Sequence, residues 1–243
     1  MLWSLYTLAC ALTCVSAVTQ VTQNPPDVSV ERGQSVSMDC NLGYVEDYGA
    51  WWYKQSPGQV PQFLLYFYHS SSAPTYGSGV SSSKFTSTHQ SKRDYRLTIN
   101  SLEQSDSAVY YCKTWDNTVN EWVFGAGTRL SVTDASRPPP VVTVFPPSPA
   151  QLQSHTVTLL CVSAQSGPWA QVSWLADGSP VSSGVWSSGA VLGAEQTFHV
   201  SSSLSIPTSH WTSSQKLYTC RVSLGPQTQP AQDTIRSGVC DSH

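Results

Sequence analysis

The sequence predicts an all-β protein built as two tandem β-sandwiches, and three observations carry this. Serine, threonine, valine and tyrosine dominate while helix formers are sparse, a bias toward many short strands. The stretch from Asp106 to Cys112 alternates as a strand does, with Val109 and Tyr111 on one side and Ala108, Tyr110 and Cys112 on the other. A four-part frame also occurs twice: Cys40, Trp52, Tyr110 and Cys112, then Cys161, Trp174, Tyr218 and Cys220. Such spacings describe a disulfide between two sheets with an indole packed on it, while the tyrosine two residues before the second cysteine folds its hydroxyl back to upstream backbone. A length of 243 residues then divides into two domains of roughly 110 each.

Along the chain, Leu2 to Ala17 form an apolar run ending in Val15-Ser16-Ala17, a small-residue site of the kind signal peptidase cuts, although no Lys or Arg precedes it. The run is shorter than the ~20 residues of a spanning helix. Residues 1–17 are therefore expected to be a signal peptide whose removal discards Cys10 and Cys14. The first domain, 18–133, opens with an edge strand that Pro25-Pro26 breaks and sends to the other sheet. Glu31 to Gln34 is a turn, Ser35 to Cys40 an alternating strand, and Asn41 to Ala50 a polar and aromatic loop. Trp52 to Gln55 and Phe63 to Tyr66 are strands joined by Ser56-Pro57-Gly58-Gln59, whose Pro and Gly suit a tight reversal. Phe67 to Gly79 is again loop-like, Phe85 to Gln90 and Tyr95 to Ile99 form a hairpin, and Lys113 to Val123 is a third loop. No third glycine or helix follows Gly125-Ala126-Gly127, so a β-bulge rather than a phosphate cradle is expected before the strand Arg129 to Val132. Residues 134–140, with Arg137-Pro138-Pro139-Pro140, form an extended, stiff elbow. The second domain, 141–243, begins with Val141 to Phe145; Val157 to Cys161, Val172 to Trp174 and Val200 to Ile206 alternate as further strands.

These motifs resemble the immunoglobulin superfamily, and within it an antibody light chain: a variable-type domain, a constant-type domain and a lone terminal cysteine. The resemblance covers everything after about residue 18. Phe124 to Thr128 is similar to the joining segment of rearranged variable domains, and Phe145-Pro146-Pro147-Ser148 to the opening strand of a light-chain constant domain. The resemblance implies disulfides Cys40–Cys112 and Cys161–Cys220, each stabilising its domain by roughly 4 kcal/mol through loop entropy. Cys240 is left over, and in an oxidising compartment it reads as a bond to another chain. Also implied are an ion pair between Lys84 and Asp106 at the base of the first domain and a short helical turn at His210-Trp211. Gly167-Pro168 falls where constant domains commonly hold a cis proline, although the usual aromatic before the proline is absent.

Three loops at one end of the variable-type sandwich are the expected antigen site. The first supplies Tyr44, Glu46, Asp47 and Tyr48, the second Phe67, Tyr68 and His69, and the third Trp115, Asp116, Asn117, Asn120 and Glu121. Tyr and Trp offer rigid contact area with few rotamers to freeze, which is why binding loops favour them. Trp51 and Trp122 lie beside these loops, where cover for the core or for a partner domain is an equal alternative. The resemblance sets Tyr53, Gln55, Pro61, Phe63, Tyr111 and Phe124 against a partner variable domain, and Phe145 and Leu160 against a partner constant domain. Tyr111 carries the same expectation by pattern alone, since it faces away from Tyr110 and Cys112 and a large residue there wants cover. The implied partner is an immunoglobulin heavy chain, and a permanent interface of this kind exceeds ~2,000 Å².

With 11% of residues charged and a net charge of -3, no basic field exists to hold nucleic acid or an anionic membrane. No Gly-x-Ser-x-Gly, Cys-x-x-Cys or His-Glu-x-x-His pattern occurs, so no catalytic centre, metal or cofactor is expected, and no Asn-x-Ser/Thr sequon is present. The expected function is noncovalent antigen recognition by a secreted light chain. A T-cell receptor chain is the first alternative, because Val21-Thr22-Gln23-Asn24-Pro25 looks like the start of some receptor β-type variable domains. A receptor chain needs a membrane helix, and the sequence stopping at His243 favours the secreted form. An adhesion or structural protein of immunoglobulin domains is the second alternative, against which the joining segment and Cys240 argue.

Overall fold

A computed structural model describes residues 19–43, 48–134, 136, 139–193, 197–224 and 230–238. The leader 1–17, the loop residues Tyr44, Glu46 and Asp47, and Cys240 lie outside the described residues. The first domain has β1 (Thr22–Asn24), β2 (Asp27–Glu31), β3 (Val36–Asn41), β4 (Ala50–Gln55), β5 (Gln62–Phe67) and β6 (Thr75–Tyr76). It continues with β7 (Phe85–His89), β8 (Asp94–Ile99), β9 (Ala108–Asp116), β10 (Glu121–Phe124) and β11 (Thr128–Thr133). One sheet has the order β1-β3-β8-β7 and the other β2-β11-β9-β4-β5-β6, with β10 paired to β9. The proline break is a change of sheet: β1 pairs with β3, whereas β2 runs parallel to β11 in the opposite sheet.

Alternation decides which residues enter the core. Val36, Met38 and Cys40 of β3 face Ala108, Tyr110 and Cys112 of β9 across the sandwich, and all are buried. The Cys40–Cys112 disulfide spans the sheets with its Cα atoms 6.4 Å apart, and Trp52 is fully buried in the same core cluster. The Tyr110 hydroxyl donates to the Asp106 carbonyl at 2.8 Å, and burial pushes its pKa well up. Asp106 in turn pairs with Lys84 at 2.5 Å and, beyond expectation, with Lys54 at 3.6 Å. Burial lowers the Lys54 pKa, opposed by the Asp106 charge.

Two strands depart from simple alternation. A β-bulge in β5 at Leu64, opposite the Trp52–Tyr53 step of β4, lets the consecutive Leu64 and Leu65 both turn inward. Phe63 and Tyr66 consequently share the outer face and Phe67 is buried, which removes Phe67 from the set of loop contacts. The third loop is also shorter than its composition suggests. β9 runs on to Asp116 and pairs with β10, leaving residues 117–120 as the tip.

Gln23 links the first strand to the joining segment. Its Nε2 donates to the Tyr110 carbonyl at 2.9 Å, and its Oε1 accepts from the Cys112 and Gly127 amides at 3.0 and 3.2 Å. A Cβ on Gly125 would stand 2.3 Å from that same oxygen, and Gly127 has a φ of +92°, so both glycines are fixed by this contact and its turn.

The second domain comprises β12 (Val141–Phe145), β13 (Thr156–Ser166), β14 (Gln171–Ala176), β15 (Ser179–Val181), β16 (Val185–Ser187) and β17 (Val191–Leu192). It ends with β18 (Phe198–Pro207), the helix α1 (Thr208–Ser213), β19 (Leu217–Ser223) and β20 (Ala231–Arg236). Its sheets are β12-β13-β18-β16, with β17 on β18, and β15-β14-β19-β20. Cys161–Cys220 joins them at a Cα separation of 6.3 Å, and buried Trp174 donates from Nε1 to Ser202 Oγ at 3.0 Å. Trp211 of α1 stacks on Tyr218 at 6.2 Å, both buried. The cis peptide among the described residues is Asn24–Pro25; Gly167–Pro168 is trans.

Candidate functional site

The outer face of the larger sheet in the first domain gathers most of the surplus aromatics. Outward residues of β9 are Val109, Tyr111, Lys113 and Trp115, all half-buried. Tyr53 of β4 lies beside Tyr111, and Trp51 beside Lys113; on the other side Phe124 pairs with Lys113 and Trp122 with Trp115. The bulge brings Phe63 and Tyr66 into the same layer. Trp51 stacks on Tyr66 at 4.5 Å and meets Trp122 at 5.3 Å, Tyr53 meets Phe63 at 5.5 Å, and Trp115 meets Trp122 at 5.4 Å. Offset and edge-on pairs at these separations hold one another's rotamers. Phe124 nevertheless remains 51% exposed and Trp122 40%.

The flank of this layer holds Gln55, whose amide donates to the Gln59 carbonyl at 3.1 Å within the turn, and exposed Pro61. Toward the loop end, Tyr68 packs on Tyr66 at 5.0 Å and Tyr48 is exposed. His69 turns toward His89, with ring centroids 4.8 Å apart, and its Nδ1 has no hydrogen-bond partner among the described residues. Burial and then the neighbouring His69 lower the His89 pKa.

At the hairpin tip Asn117, Asn120 and Glu121 are exposed, and the Trp115 indole donates to Asn117 Oδ1 at 3.0 Å. Asp116 faces inward instead. It is buried and accepts from the Thr19 and Thr118 amides, each at 2.7 Å, which holds its pKa at about 2. Asp116 therefore supports the loop rather than presenting a carboxylate from it, because hydrogen bonds to its charged form keep it turned toward the chain start.

A second outward face occurs on the β12-β13-β18-β16 sheet. Phe145 pairs with Leu160, Leu160 with Ser203, and Ser203 with Trp186, so the four form one row across the sheet. Phe145, Leu160 and Trp186 are 47%, 43% and 64% exposed. Sequence reasoning missed Trp186, Lys113 and Gln23. For Lys113 the signal available was its place in the outward series Val109, Tyr111, Lys113, Trp115. Among the described residues no three His, Cys, Asp or Glu side chains converge as a metal site would require.

The immunoglobulin V-set domain model matches residues 23–133 and the immunoglobulin C1-set domain model matches 142–225. The chain belongs to the immunoglobulin superfamily. Its V-set domain followed by a C1-set domain is the layout of an antigen-receptor-like chain, a family not generally enzymatic, and the paired disulfides suit an extracellular setting. It is 33% identical, over 186 residues, to a viral T-cell receptor beta chain-like protein of feline leukemia virus. That alignment covers 72% of this chain, which spans 56% of the relative's length. No helix among the described residues is long and apolar enough to cross a membrane.

Proposed function

We propose that this chain is the light chain of an antibody-type receptor, pairing with an immunoglobulin heavy chain and lending three loops to a shared antigen site. The observation that carries the reading is the two apolar faces, one per domain and each on a sheet. Tyr53, Phe63, Tyr111 and Phe124 fit a partner V-set domain; Phe145 and Leu160, with Trp186 added, fit a partner C1-set domain. Faces rich in aromatics on a rigid sheet are the kind that a permanent partner covers. Tyr48, Tyr68, Trp115, Asn117, Asn120 and Glu121 would then reach antigen above that seam, and Tyr44, Glu46 and Asp47 of the first loop are kept as antigen contacts in the proposal. The signal peptide 1–17, the elbow 134–140 and an interchain bond through Cys240 complete the proposal, with secretion through the endoplasmic reticulum.

The Phe145-Pro146-Pro147-Ser148 opening supports a light chain over other receptor chains. A second reading, a T-cell-receptor-like chain, is favoured by the feline leukemia virus relative and by the Val21 to Pro25 start. Purifying the assembled protein and sequencing the co-purifying chain separates the two. A heavy chain released only with reductant is the expected result, and a Cys240→Ser chain still covalently joined to it would overturn the assignment of that bond. A receptor-type partner decides for the second reading, and an unpartnered native protein refutes both.

A further inference from the structure

We infer that the partner domain closing over the V-set face presents a carboxylate to Lys113, an inference that rests on the paired-chain reading above. Lys113 sits in the middle of that face, flanked in register by Trp51 and Phe124. Its Nζ lies 4.0 Å from the ring centroid of Trp122, 4.8 Å from Tyr53, 5.2 Å from Phe124 and 5.9 Å from Trp51. Carboxylates that form ion pairs among the described residues serve other cations: Asp106 serves Lys54 and Lys84, Asp39 serves Arg96, Asp27 serves Arg129 and Asp134 serves Arg32. Lys113 is half-buried, so water still completes its shell in the single chain.

A second domain laid on this face expels that water. Four rings attract an ammonium through their π faces but leave its three N–H donors without acceptors. Taking a charge out of water with no opposite charge beside it is costly, and an apolar partner surface would leave that cost unrelieved. A carboxylate on the partner supplies both acceptors and countercharge. The same contact sets choice of partner, because a domain with a cation or an apolar side chain at that place leaves the ammonium stranded. The aromatic box holds the ammonium in place beforehand, so little rotamer freedom is lost when the pair forms.

The test uses the full chain with its co-purified partner. Zero-length carbodiimide coupling joins an ammonium to a carboxylate only at ion-pair range, and peptide mapping should recover Lys113 coupled to an Asp or Glu of the partner. Coupling of Lys113 to its own chain, or none at Lys113 while other pairs couple, overturns the proposal. Heterodimer affinity is then measured on a Cys240→Ser background. Lys113→Met should weaken it about thirtyfold or more and flatten its salt dependence, the low end for truncating one side of a buried charge pair. Lys113→Arg should hold affinity within about threefold, because the charge and donors persist. Should Lys113→Met fail to fold, the coupling map still decides. A native chain that pairs while Lys113→Met pairs as tightly sinks this proposal alone; a native chain that does not pair sinks the pairing reading with it.

Discussion

Gln23 satisfies three buried backbone groups at once, on Tyr110, Cys112 and Gly127. Gln23→Leu keeps the bulk but leaves those groups unpaired, and each buried orphan costs about 1–3 kcal/mol. Loss of about 3 kcal/mol from the V-set domain is expected, read by denaturant unfolding, together with faster hydrogen exchange at the Cys112 and Gly127 amides. Asp116 gives a pH signature of known sign. Its folded pKa of about 2 lies below the ordinary 3.8, so it stabilises the fold above 3.8 and that contribution disappears as pH falls toward 2. Exchange protection of the Thr19 amide should therefore fall across that window in the native chain. In Asp116→Asn it should be weak and flat, and a native chain with no such acid step would remove the role given to this carboxylate.

The β9–β10 hairpin shows where strand reading stops being local. Strands whose inward residues alternate without interruption, such as β3, β8, β9 and β18, are legible from sequence because period two needs no partner to be seen. Trp115 and Trp122 read as loop residues, since Asp, Asn and Thr between them are turn formers; they are cross-strand neighbours closing a four-residue tip. The bulge that buries Phe67 was equally hidden, because it is set by how β5 registers on β4 and not by β5 itself. The same dependence on register explains why Lys113 amid its rings and Trp186 in its row escaped notice. Within the tip, Asn120 holds a φ of +53°, which asparagine tolerates and β-branched residues do not. Asn120→Val is expected to destabilise the hairpin by about 1 kcal/mol, and Asn120→Gly to leave it intact. Amide exchange in residues 113–124 reads the difference, and equal protection in both variants would mean that the tip does not depend on that backbone conformation.

At the scale of the molecule, each domain has one sheet face that is apolar beyond what its own core requires, and the C1-set face allows the cleanest separation of folding from pairing. Trp186 stands 64% exposed at the end of the Phe145–Leu160–Ser203 row, and its backbone carbonyl, not its ring, accepts the Ser202 hydroxyl at 2.8 Å. Removing the ring therefore leaves the sheet's hydrogen bonds in place. Trp186→Ala should leave unfolding of the isolated chain within about 0.5 kcal/mol of native, as for an exposed residue outside the core. Paired with the partner, the same ring would be enclosed, and truncation of an interface tryptophan costs about 2 kcal/mol, or roughly thirtyfold in affinity. Dissociation, rather than association, should change most, because apolar anchors act on the complex once formed. Native mass spectrometry of the Cys240→Ser heterodimer with and without Trp186→Ala measures this directly. Unchanged affinity would place the row outside the interface and leave the V-set face as the seat of pairing, whereas a destabilised isolated chain would show that Trp186 belongs to the fold of its own domain.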